Sequence, residues 1–115
     1  MQSVVNLMDA ALSALQPPVP LIANEGKHGR ECVEYTFNTT YYNGARREAR
    51  MKLNIVAASM ARGLELEQLL DGLLVGRGET PLTPSVTAGE RNGGGWLIDG
   101  DWHIRIAYYD FVIRG

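Results

Sequence analysis

A chain of 115 residues has room for one domain, 1–115, and one core, and its 45% hydrophobic and 21% charged residues are ordinary for a globular protein. The formal net charge of −2 excludes a global basic field that would draw the chain onto nucleic acid or anionic lipid. The single cysteine, Cys32, excludes an internal disulfide and a cysteine-only metal site; no apolar run nears the roughly 20 residues that span a bilayer, and no signal peptide is evident, so a reducing cytoplasm is the simplest compartment.

In chain order, Val4, Val5, Met8, Ala11, Leu12 and Leu15 recur at helical spacing, which predicts an amphipathic helix over 3–15 with Ser3 as its N-cap and Pro17-Pro18 as its stop. Residues 19–23 suit a short edge strand and 24–30 a polar loop. Two alternating stretches follow, 31–42 and 45–56, with Val33, Tyr35, Phe37, Thr39 and Tyr41 on one face of the first and Ala49, Met51, Leu53 and Ile55 on one face of the second. Asn43-Gly44 marks a hairpin. A two-residue loop would set Phe37 against Arg50 and mix a core face with a solvent face. A three-residue loop, Tyr42-Asn43-Gly44, sets Phe37 against Ala49 and puts Gly44 at positive φ.

Met60, Leu66, Leu69, Leu70, Leu73 and Leu74 predict a second amphipathic helix over 59–74, with Ser59 as cap and Gly63 delaying the regular helix to Leu64. Gly76 and Gly78 suit its end, and Pro81 and Pro84 punctuate the following loop. Residues 85–90 form a strand with Val86 and Ala88 on one face, and Gly93-Gly94-Gly95 a bend or bulge. A three-residue turn, Ile98-Asp99-Gly100, would place Trp96 opposite Trp102. The last strand carries Ile104 and Ile106 on one parity and Tyr109, Phe111 and Ile113 on the other. It is therefore covered on both sides or bulged near Tyr108. The order predicts an α+β fold, an antiparallel sheet of four to five strands with two helices packed on one face.

No constellation argues for chemistry. Asp99, Asp101 and His103 have metal-like spacing, but Asp-Gly is ordinary turn chemistry. His28 and Cys32 lack an orienting acid. Glu48 and Lys52 bring acid and base together without an aspartate on a preceding strand, and the triple glycine leads into a strand where a phosphate loop opens a helix. Tyr41, Tyr42, Arg46, Arg47, Arg50 and Lys52 gather on the first hairpin. That composition suits a solvated face, a protein–protein contact or, against the net charge, nucleic acid.

The helix ending in Leu12-Ser13-Ala14-Leu15-Gln16-Pro17, the strand Glu31–Phe37, the long strand Ala49–Val56 leading into a helix, and the aromatic closing strand Trp102–Phe111 resemble the tail-completion or tail-terminator (minor tail, head–tail joining) proteins of long-tailed phages and prophages. The resemblance implies a virion protein assembled in the host cytoplasm, with no enzymatic activity, cofactor or metal. It implies a homo-oligomeric ring, often a hexamer, that caps the tail tube and meets the head–tail connector. An interface of Tyr41, Tyr42, Arg46, Arg47 and Arg50 against Glu65, Glu67 and Asp71 of a neighbour is the expected contact, with Glu67 and Asp71 on one exposed helix face. Other readings are a small enzyme subunit, a nucleic-acid-binding module, or a partner-binding protein of a toxin or secretion system.

Overall fold

The computed structural model describes residues 2–23, 30–43, 46–75, 82–83 and 86–114, without the side chains of 40–43, 46, 87 and 114. Expectations that fall on His28, the positive φ of Gly44, Gly76, Gly78, Pro81 and Pro84 lie outside these residues. The elements are α1 (Gln2–Ser13), β1 (Leu21–Ala23), β2 (Cys32–Asn43), β3 (Arg46–Ala57), α2 (Met60–Leu74), β4 (Val86–Asp99) and β5 (Trp102–Arg114). The fold is α+β. The five strands form one sheet in the order β1-β2-β3-β5-β4, antiparallel except for the β1–β2 pair, which is parallel.

Val4, Met8 and Leu12 of α1 and Leu66, Leu70 and Leu74 of α2 are buried in one cluster with Val33, Met51, Leu53, Ile55, Ala107, Tyr109, Phe111 and Ile113. Every one of those strand residues is odd-numbered, as a period of two requires when both helices cover the same face. Even-numbered residues carry the other face, where Cys32, Val56 and Ile104 form a smaller cluster with Ile22, Trp102 and Ile106.

From Val33 to Thr39 the odd residues of β2 pair with odd residues of β3, but in a different register from the one expected. Phe37 pairs with Met51 and Tyr35 with Leu53. Parity is kept by an irregularity at Thr40, between the pairs Thr39↔Ala49 and Tyr41↔Glu48, and the last pair is Asn43↔Arg46. A bulge thus does the work that the sequence assigned to the loop. The second hairpin departs similarly. Asp99 pairs with Trp102, so the turn is Gly100-Asp101, with Gly100 at φ +60°. Trp96 consequently pairs with Arg105 and lies on the helix side, while Trp102 lies on the other.

β5 is unbroken from Trp102 to Arg114 and is used on both faces. The bulge sits across from Tyr108 in β4, where Asn92 and Gly93 (φ +87°) intervene between Arg91 and Gly94. A second irregularity, between Val86 and Ala88, sends Val86 into the core and leaves Ala88 exposed, where one shared face was expected.

Ser59 caps α2, its hydroxyl accepting from the Arg62 N–H at 3.2 Å. Gly63 lies inside the helix, which begins at Met60 rather than Leu64. Its cost in propensity is offset by contact, since a Cβ there would stand 3.1 Å from Cη2 of Trp96. Ser3 also lies inside a helix instead of capping it, with its hydroxyl 3.1 Å from that of Thr83.

Candidate assembly surfaces

α2 crosses the second hairpin antiparallel to β4. Gly63 rests against Trp96 at one end, and the Leu74 carbonyl crowds Gly89 at the other. Glu67 and Asp71, one helical turn apart, fall between these contacts. Opposite them Arg91 of β4 and Arg105 and Tyr109 of β5 stand on the same face of the sheet. Arg91 donates to Glu67 Oε2 at 2.9 Å and to Asp71 Oδ1 at 3.0 Å. Arg105 Nε donates to the same Glu67 oxygen, and the Tyr109 hydroxyl donates to Asp71. The Arg105 guanidinium also lies 5.2 Å from the centre of the Trp96 ring. Burial first, and the bond to Asp71 second, push the Tyr109 phenol far above its ordinary value.

This arrangement corrects the expectation of an exposed acidic helix face. Glu67 is only 7% exposed, and both carboxylates are bound within the chain. The physical reason lies in β5. Arg105 shares the parity of Tyr109 and Phe111, so it faces a helix-covered surface where a charge needs a partner. Sequence reasoning missed Arg91, Arg105 and Tyr109. The signal available was an arginine on the core parity of β5, hidden because Ile104 and Ile106 made the opposite parity look like the core. Beside the cluster, Gln68, Asp71, Gly72, Val75 and Arg91 line an open cleft of about 720 Å³.

The other expected interface residues divide. Tyr41, Tyr42, Arg46 and Arg47 occupy the last rungs of the β2–β3 ladder, with Arg46 also across from Arg114 of β5. Arg50 stands four residues further into the sheet, on the face away from the helices, and pairs with Asp110 at 2.9 Å. Asn92 Nδ2 donates to the same carboxylate at 2.6 Å. The Arg50 bond, then the Asn92 bond, outweigh burial and hold the Asp110 carboxyl below its ordinary value near 3.8. Its stabilising contribution is therefore present above that value and lost as the pH falls through the lowered one. Asp110→Asn should show a small stability deficit at neutral pH that closes on acidification. Urea denaturation at the two pH values checks this, and a deficit independent of pH would contradict it.

The remaining candidate chemistries do not converge. Asp99 pairs with Trp102 and His103 with Ile98, so Asp99 and His103 lie on opposite faces. Among the described residues no group of three or more histidine, cysteine, aspartate or glutamate side chains could hold a metal ion, and no helix is long and apolar enough to cross a membrane. Cys32 is buried, and desolvation, aided by Glu34, pushes its thiol up to about 11. A thiol held protonated at neutral pH is a packing group and a poor nucleophile.

No family model and no curated protein matches the chain. Among solved structures, the fold is shared with a chain described as "Virion of native gene transfer agent (GTA) particle". The two are 16% identical with a TM-score of 0.71, over 97% of this chain and 92% of that one. The likeness at this identity is one of fold.

Proposed function

We propose that this chain is a structural, non-enzymatic protein of a phage-like virion, and that it acts as a tail-terminator or tail-completion component. In this reading it forms a ring at the head-proximal end of the tail and joins other tail and connector proteins, and it is assembled in the host cytoplasm. The observation that carries the proposal is the fold shared, over nearly the full length of both chains, with a chain of a virion particle. The sheet adds support. Arg91 and Arg105 of the sheet and Glu67 and Asp71 of α2 neutralise one another within the chain, which suits a scaffold better than a reactive centre.

Negative-stain electron microscopy of the purified protein should show rings of one diameter. In the producing cell, removal of the chain should leave heads and tails unjoined. Particles of normal form and infectivity without the chain would overturn the proposal.

A further inference from the structure

The strand register fixes two opposite ends. Arg46 pairs with Arg114 at one end of the β3–β5 ladder and Ala57 with His103 at the other, and the molecule is 44 Å long and only 25 × 20 Å across. The ladder runs along the long axis, since twelve rungs at about 3.4 Å each come near that length. The β2–β3 hairpin therefore closes one end and the β4–β5 turn closes the other.

Among the described residues, the two ends carry opposite charge. At the hairpin end Arg46, Arg47 and Arg114 outnumber Glu48, beside Tyr41 and Tyr42 on the same rungs. At the turn end lie Asp99 at the end of β4, Asp101 of the turn, Glu31 just before β2, and Glu65 of α2. Together they outnumber Arg30 and Arg62, of which Arg62 is already bound by Glu31 and Glu65. The turn end is also apolar. Ile98 is 67% exposed, and Leu97, Met60 and Leu64 are exposed as well. Because α2 runs antiparallel to β4 and Gly63 meets Trp96, Met60 falls level with Ile98 and prolongs one patch. Large exposed apolar side chains next to an acidic turn are the composition of a contact surface.

We infer that the turn end of one subunit docks on the hairpin end of a second copy. The acidic turn of Asp99 and Asp101 meets the arginine-rich rungs, and Ile98 meets the tyrosines. This rests on the ring reading and names its contact. Glu67 and Asp71 take no part in this contact, because the chain's own Arg91 and Arg105 bind them. Such a contact is head to tail, and it closes into a ring when its rotation permits.

Charge exchange tests it, with sedimentation velocity as the readout and thermal unfolding as the check that each variant folds. Asp99→Lys with Asp101→Lys, and separately Arg46→Glu with Arg47→Glu, should each weaken self-association on the order of tenfold or more. Mixing the two variants should restore oligomers, because every contact in the mixture then pairs opposite charges. Ile98→Ser should weaken assembly at high salt as well as low, whereas the wild-type contact loosens only in part with salt. Wild-type oligomers that survive both reversals leave the ring reading standing and overturn this contact. Two weakened variants that do not rescue each other overturn it too. A wild-type protein that stays monomeric at every concentration overturns both.

Discussion

Glu67→Ala is expected to lower the unfolding free energy by about 3–5 kcal/mol, because it leaves the Arg91 and Arg105 guanidinium groups under a helix with one carboxylate fewer. The penalty comes from the charges that remain and not from the bonds that are lost. Glu67→Gln keeps the shape and an acceptor oxygen, so it should cost less than the alanine variant. A loss of that size shifts the melting temperature by at least about 10 °C in a domain of this size. Urea denaturation of the two variants against wild type gives the comparison. A cost below about 1 kcal/mol for Glu67→Ala would mean that the cluster is solvated rather than sealed.

Gly89→Ala should be comparably severe for a different reason. A Cβ at this position would stand 2.2 Å from the backbone oxygen of Leu74 and 3.0 Å from the Phe111 ring. Neither neighbour is a free side-chain end, so the end of α2 must lift from β4 at about 3 kcal/mol. Gly72→Ala is the informative contrast. It lies inside α2 with nothing within 4 Å of its added Cβ, and it should stabilise the protein by up to about 1 kcal/mol through helix propensity. Thermal unfolding of the pair should move in opposite directions. Equal melting temperatures would show that β4 and α2 are not in close contact.

The elements that were legible in the sequence are those whose period is carried by several residues. Leu66, Leu70 and Leu74 announce α2, and Val33, Tyr35, Met51, Leu53 and Ile55 announce the two central strands and the face they bury. Register was not legible, because a single bulged residue changes it without changing the alternation on either side. The irregularity at Thr40 and that at Asn92-Gly93 each restored a parity that the sequence placed in a loop or in β5. The ion cluster was hidden by the same error. Once Trp96 is set opposite Trp102, Arg105 falls on the solvent side and Glu67 has no partner. With Trp96 opposite Arg105, both fall into place. Of the expected interface, the clustering of Tyr41, Tyr42, Arg46 and Arg47 was readable because it is local in the chain, whereas the ion pair of Arg50 with Asp110 joins residues 60 apart.

The strand order has a kinetic consequence. β2 with β3, and β4 with β5, are hairpins whose strands adjoin in the chain and zip from their own turns. The centre of the sheet is the β3–β5 ladder, whose partners are separated by all of α2 and β4. Closing that long segment is the entropically costly step, so the folding barrier is crossed when rungs such as Met51↔Tyr109 and Leu53↔Ala107 assemble with α2 above them. Weakened packing at this seam should slow refolding, and so should a change that keeps either hairpin from zipping, since both are in place when the barrier is crossed. The two ends of the molecule therefore carry a folding constraint in addition to whatever they recognise.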